Sequence, residues 1–208
     1  SKQAWCQDGI ATACVNHPLT NRVHERVVNV TGVPKDNAEF FQVLRYEPGQ
    51  FYKTHHDQNA GADSVMGVRL FTFFIYLKTP EGGGGTRFPG LNITIQPKKG
   101  TALLWPNVLD SDLRRSDSRT MHEALPPTGG LKFSANLWLH QYDFRGPNRH
   151  GCDMARYIDR SSFAWPSSDA DLAERTNRTW GTPVMPPRVG GEMGRLEDDE
   201  DHEENDEL

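Results

Sequence analysis

Five apolar runs recur through the middle of this chain, at residues 40–46, 68–77, 91–96, 101–105 and 133–142, and Gly, Pro and Asn punctuate them. Each has the length of a single strand, so most of the fold is committed to β-structure. A chain of 208 residues is long enough for one such domain with a sizeable core. The spacing predicts a mainly β (α+β) fold, a double-stranded β-helix jelly roll. Ahead of the strands, Val23, Val27 and Val30 fall at helical spacing. Thr20 is the candidate N-cap and Gly32 the stop, which predicts an N-terminal helix flanking the outer face of a sheet.

His55-His56-Asp57 is the first chemical signal. In a strand, residues i and i+2 share a face, so His55 and Asp57 can reach one metal while His56 points away. A third ligand must come from another strand, and His122 sits in a short stretch, 119–124, closed by Pro126-Pro127 and Gly129-Gly130. Two imidazoles and one carboxylate leave three positions of an octahedral Fe(II) open. Lys132 opens the run 131–140, which is expected to return antiparallel beside His122 and bring an ammonium near the metal. There it can hold the far carboxylate of a bidentate acid. Each piece is weak alone; their order along the chain gives the set its force.

At this point the chain resembles the collagen-type prolyl 4-hydroxylases of plants, algae and animals. Tyr46-Glu47-Pro48-Gly49-Gln50-Phe51-Tyr52-Lys53-Thr54-His55-His56-Asp57 is similar to the family's Tyr-x-x-Gly-Gln-x-Tyr-x-x-His-x-Asp. Further matches are Tyr76-Leu77 leading to Glu81, Gly83-Gly84, Thr86 and Phe88-Pro89; Pro97-Lys98-Lys99-Gly100; and His122 with Pro126, Gly130, Lys132 and Trp138-Leu139-His140. The similarity runs from about residue 18 to 143. Lys132 selects this branch, because related oxygenases place an arginine there, whose planar fork grips a carboxylate differently.

The resemblance implies that His55, Asp57 and His122 bind Fe(2+), and that Lys132 pairs with the C5 carboxylate of 2-oxoglutarate, helped by the hydroxyls of Tyr46 and Thr86. It implies that Tyr52, Arg69, Trp138 and His140 line a groove for a proline-rich or collagen-like peptide. O2 would be the second co-substrate and L-ascorbate an accessory cofactor, with succinate and CO2 released as a peptidyl proline is hydroxylated at C4. Two alternatives stay open: a sibling oxygenase acting on another residue or a small molecule, and an inactive fold that binds proline-rich peptides. The chain departs from the pattern at Gly82 and Gly85, which flank the paired glycines where acids are common, at Trp105 in place of phenylalanine, and at Glu123, a charge at the iron rim.

The domain reading is an oxygenase domain over 1–150 with its core at about 18–143, an irregular extension over 151–196 with one short helix near 170–175, and an acidic disordered tail over 197–208. The tail carries no Lys or Arg, so the acidity behind the net charge of −5 belongs to it and the remainder is mildly basic. Its last residues, Asn205-Asp206-Glu207-Leu208, resemble endoplasmic-reticulum retrieval signals, which implies a lumenal location and a retrieval receptor as partner. Sequons at Asn29, Asn92 and Asn177 permit glycosylation in that compartment. Cys6 and Cys14 are close enough to close a small disulfide loop, and Cys152 is left over. Ser1 follows neither a Met nor an apolar signal, as in a processed or trimmed chain. No transmembrane segment and no nucleic-acid partner are expected, since no run is long enough to cross a bilayer and no basic stripe interleaves with aromatics.

Overall fold

A computed structural model of the chain describes residues 1–7, 11–60 and 64–146. The expected extension, its short helix, Cys152, the Asn177 sequon and the acidic tail lie outside the described residues. In chain order the elements are β1 (Lys2–Cys6), α1 (Thr12–Val15), α2 (Pro18–Thr31), β2 (Phe41–Tyr46), β3 (Tyr52–His55) and β4 (Arg69–Lys78). Short strands follow: β5 (Gly82–Gly83), β6 (Thr86–Phe88), β7 (Ile93–Ile95), β8 (Ala102–Pro106), β9 (Val108–Leu109) and β10 (Asp112–Ser116). The last are β11 (His122–Ala124), β12 (Pro127–Gly129) and β13 (Lys132–His140).

Two antiparallel sheets make the jelly-roll-like framework. The larger runs β1-β2-β13-β4-β8 and the smaller β3-β11-β6-β7. β4 shows why it is central. Thr72, Phe74 and Tyr76 are buried on the face toward the smaller sheet, while Phe71, Phe73 and Ile75 pack on the opposite face into the cluster of Val27, Val33, Phe41, Leu137 and Leu139. Period-2 alternation with both faces covered is what an interior strand requires. Phe74, Tyr76, Phe88 and Trp105 form a second cluster drawn from β4, β6 and β8, and so from both sheets.

α2 covers the outer face, as its valine spacing predicts, but it starts earlier. His17, not Thr20, is the cap: its Nδ1 accepts from the Leu19 backbone N–H at 3.2 Å, and Pro18 supplies the preset φ of a first helical residue. Gly32, at φ 71°, closes the helix by donating to the Val28 carbonyl at 2.8 Å. Val23 and Val27 face the sheet, whereas Val30 is exposed, and the buried third position is His24. Burial pushes the His24 pKa down to about 3, so this ring packs as a neutral group, 4.9 Å from the Phe41 ring. A disulfide joins Cys6 to Cys14 and ties β1 to α1. β1 itself, rich in polar residues and exposed along most of its length, carries too little apolar alternation to be read as a strand from sequence.

Candidate active site

A cavity of about 410 Å³ opens between the two sheets. Tyr46, Phe74, Lys132 and Trp138 line it from the larger sheet, and Tyr52, His55, Thr86 and His122 from the smaller. The ligand atoms of His55, Asp57 and His122 all lie within 4.8 Å of one another. His55 ends β3 and pairs across the ladder with His122 at the start of β11. The expectation of one strand through both His55 and Asp57 needs correction: the strand stops at His55, and Asp57 lies just past its end. Its carboxylate still turns inward, 3.5 Å from His55 Nε2 and 3.7 Å from His122 Nε2.

Backbone carbonyls fix which nitrogen each imidazole presents. His55 Nδ1 lies 2.8 Å from the Lys53 carbonyl and His122 Nδ1 lies 3.0 Å from the Thr120 carbonyl. A carbonyl only accepts, so Nδ1 is the protonated nitrogen in each neutral ring and the Nε2 lone pair faces Asp57. Burial lowers the His122 pKa, which favours that neutral form. Two lone pairs and a carboxylate facing one another, with no proton to share, suit a cation. Asp57 is held ionised: burial would raise its pKa, but the Thr72 hydroxyl that donates to it and, whenever they are protonated, the His55 and His122 imidazoles hold it well below the usual carboxylate range.

Thr72 donates to Asp57 Oδ2 at 2.7 Å, and Asn107 Nδ2 donates to Thr72 Oγ1 at 2.9 Å. Neither residue stands out in the sequence as a site residue. The available signal was a threonine at an inward position of the otherwise apolar β4.

Lys132 arrives by a different route from the one its sequence position suggests. β13 pairs with β2 and β4, not with β11, so Lys132 faces the metal ligands from the opposite sheet, beside Tyr46 in the ladder. β12 and the turn at Gly129-Gly130 carry the chain across. Lys132 is fully buried, and Nζ has no hydrogen-bond partner among the described residues. The rings of Tyr46, Phe74 and Tyr76 surround it, with centroids 5.1, 5.7 and 5.7 Å away. Burial pulls its pKa down to about 8. A buried ammonium without an acceptor fits an anionic ligand group, and the far carboxylate of 2-oxoglutarate is such a group. Gly84, at φ 74°, lets the chain pass close: a Cβ there would sit 3.3 Å from Lys132 Cδ.

The remaining sequence candidates fall in different places. Thr86 Oγ1 is 2.7 Å from the Tyr76 hydroxyl, and both Thr86 and Tyr46 are buried at the cavity. Tyr52 is exposed at the mouth, its ring 4.2 Å from that of His55. Trp138 lies under the Arg69 guanidinium at 4.1 Å. Arg69 reaches the cavity but is engaged already, with Glu39 Oε1 at 2.6 Å, Asn59 Oδ1 at 2.6 Å and the Asp57 carbonyl at 3.2 Å. His140 is the correction: it is fully buried and does not line the cavity. Its Nε2 contacts Glu39 Oε1 at 2.8 Å and its Nδ1 lies 3.2 Å from the Gly67 carbonyl, so it supports the Glu39–Arg69 pair from behind. By strand alternation His140 keeps the face of Trp138, but it ends β13 and meets Glu39, which itself lines the cavity. Glu123 is paired with Arg87 and accepts from Thr54 Oγ1 at 2.9 Å, so its charge is balanced on its own sheet.

Comparison with known proteins fits this geometry. The model of the 2OG-Fe(II) oxygenase superfamily matches residues 41–140. The chain is 36% identical to prolyl 4-hydroxylase subunit alpha-2 of Gallus gallus over 68% of its own length and 26% of that protein. It is 35% identical to a putative prolyl 4-hydroxylase of Acanthamoeba polyphaga mimivirus over 69% of its length and 59% of that protein. It thus spans less than two thirds of either. The crystal structure of the viral collagen prolyl hydroxylase of Paramecium Bursaria Chlorella virus-1, a 2OG complex, superposes with a TM-score of 0.56 at 36% identity, covering 67% of this chain and 79% of that one. The chain therefore belongs to the 2OG-Fe(II) oxygenase superfamily, and the relatives it resembles there are a prolyl 4-hydroxylase subunit, a putative prolyl 4-hydroxylase and a viral collagen prolyl hydroxylase.

Proposed function

We propose that the chain is a prolyl 4-hydroxylase that acts on proline-rich or collagen-like peptides. The observation that carries the reading is the pairing of the inward-facing His55, Asp57 and His122 across one cavity with the buried Lys132, which has no hydrogen-bond partner among the described residues. His55, Asp57 and His122 would hold Fe(2+), and Lys132 the C5 carboxylate of 2-oxoglutarate, with Tyr46 and Thr86 placing hydroxyls beside it. When bound, iron with 2-oxoglutarate and O2 supplies the oxidising power that puts a hydroxyl on proline C4, with succinate and CO2 as co-products.

The chain's own residues do the positioning. Thr72, backed by Asn107, holds one Asp57 oxygen and so fixes which way the carboxylate presents itself. Phe74, Trp105 and Trp138 wall the cavity and exclude water from the reacting atoms. Tyr52 and the Trp138–Arg69 stack offer aromatic and cationic faces to an extended proline-rich chain, which has no internal hydrogen bonds of its own. An ascorbate requirement belongs to the same proposal. The decisive assay is succinate release and a hydroxyl mass gain on poly-proline, Ser-Pro repeat and Pro-Pro-Gly repeat peptides. Succinate release that no proline peptide stimulates would favour a sibling oxygenase. Peptide binding with no 2-oxoglutarate turnover would leave only a binding module.

The endoplasmic-reticulum lumen is the proposed compartment, with a retrieval receptor reading Asn205 to Leu208. The Cys6–Cys14 disulfide supports an oxidising surrounding. The Asn92-Ile93-Thr94 sequon is exposed at a turn, which suits a glycan. Deleting the last four residues should increase secretion without changing catalytic constants; equal retention would refute the receptor.

A further inference from the structure

The residue between the two ligands of the first segment has work of its own. The Gln58 backbone N–H donates to His56 Nδ1 at 2.9 Å, so in the neutral ring that nitrogen holds the lone pair and Nε2 carries the proton. His56 Nε2 faces the Asp117 carbonyl at 3.0 Å and Thr120 Oγ1 at 3.3 Å. Thr120 Oγ1 gives its own proton to the Asp117 carbonyl at 2.9 Å and is left free to accept. The carbonyl of the same Thr120 receives Nδ1–H of His122. One imidazole therefore links the loop bearing His55 and Asp57 to the turn that aims His122.

A second path closes the circuit. The Asp117 backbone N–H donates to the Asn107 carbonyl at 3.0 Å, Asn107 donates to Thr72, and Thr72 donates to Asp57. The turn is anchored, since the buried Asp117 carboxylate accepts from the Arg119 backbone N–H at 3.0 Å and pairs with its guanidinium at 2.7 Å. The strand ladder pairs His122 with His55, but its register shifts just beyond that pair and it reaches neither Asp57 nor the turn at 117–120.

We infer that His56 is a positioning residue of the metal centre, a strut that fixes the turn carrying His122 against the loop carrying His55 and Asp57. The inference rests on the metal assignment above. It predicts a larger effect of removing His56 than its outward direction in the sequence pattern suggests. Groups that orient metal ligands typically govern about 10- to 100-fold of metal affinity when lost.

Two substitutions separate the strut from the local turn. Glutamine carries a donor at the depth of imidazole Nε2, so His56→Gln keeps the link to Asp117. Asparagine carries an acceptor at the depth of Nδ1, so His56→Asn keeps only the bond from Gln58. The experiment is Co(II) titration of the full metal-free chain, followed by absorption, with thermal melting of each variant. His56→Asn and His56→Ala should lose roughly 10- to 100-fold in Co(II) affinity, while His56→Gln stays near wild type and the metal-free melting points stay close together. Wild-type affinity in His56→Asn, or a loss in His56→Gln equal to that in His56→Ala, overturns the strut. A metal-free His56→Asn that melts far below His56→Gln also overturns it, because the residue would then hold the fold and not the ligands. Wild type that takes no Co(II), or His122→Ala that takes it normally, refutes the metal assignment itself.

Discussion

Replacing Lys132 with methionine should make the ligand-free protein more stable while it ruins the grip on 2-oxoglutarate. Burial lowers the Lys132 pKa from 10.5 to about 8, with no acceptor among the described residues to offset it. A difference of that size corresponds to about 3 kcal/mol of penalty for keeping the ammonium charged in the folded state. The sign follows from the lowered folded pKa. Below about pH 8 both folded and unfolded chains are protonated and the full penalty is present. Between about 8 and 10.5 the unfolded chain binds more protons, so stability rises with pH, and above 10.5 the penalty is gone. Methionine keeps the length and apolar stem of lysine and carries no charge, so Lys132→Met should gain up to about 3 kcal/mol over wild type at pH 7, and the gain should vanish by pH 10.5.

Paired urea unfolding curves of the two ligand-free proteins from pH 6.5 to 10.5 would read this difference directly, because groups common to both cancel. Adding 2-oxoglutarate should reverse the order at neutral pH, since a ligand at a hundred times its Kd stabilises by about 2.7 kcal/mol and only wild type can bind it well. Isothermal titration should show 2-oxoglutarate affinity in wild type weakening above about pH 8, as the ammonium is lost. A Lys132→Met protein less stable than wild type at pH 7, or a stability difference that ignores pH, would refute the reasoning.

Other outcomes can be checked more simply. His55→Ala, Asp57→Ala or His122→Ala should each abolish metal binding and turnover with little change in far-UV circular dichroism; full-stoichiometry Fe(II) binding by any of them would count against the triad. Thr72→Val, which keeps the shape and removes the donor to Asp57, should weaken metal binding by roughly 10-fold or more, and an unchanged Fe(II) titration would dismiss the relay. Trp138→Ala should raise the Michaelis constant for a proline-rich peptide while peptide-independent decarboxylation of 2-oxoglutarate persists. Removing the Cys6–Cys14 bond by serine substitution at both positions should cost about 2 to 3 kcal/mol by loop-closure entropy, read as a lower denaturation midpoint.

Legibility in the sequence tracked how local each feature is. The central strands were readable because β2, β4 and β13 carry long apolar alternation, and the triad was readable because two of its members are two residues apart. Long-range placement was not. Lys132 follows His122 by ten positions, which suggests adjacent strands, yet β12 crosses to the other sheet and the lysine meets the ligands face to face. His140 sits in the same run and on the same face as Trp138, but at the end of β13 it meets Glu39, a residue distant in sequence that lines the cavity in its place. The Glu39 carboxylate, which joins Arg69 to His140, precedes β2 without any local pattern to mark it. The valine spacing marks α2 but not its start, because a histidine cap before proline is a weaker signal than threonine.

The two grips of this site stand on different sheets, and that makes the cavity a caliper. The span between the Lys132 ammonium and the three ligands is set by what lies between the layers, chiefly Phe74 and Tyr76 from β4, Phe88 from β6 and Trp105 from β8. Trimming one of these rings would let the layers close or tilt, and Trp105 and Phe88 also pack against the His122 ring, at 4.8 and 5.6 Å. The length of acid that the site measures between its jaws would change.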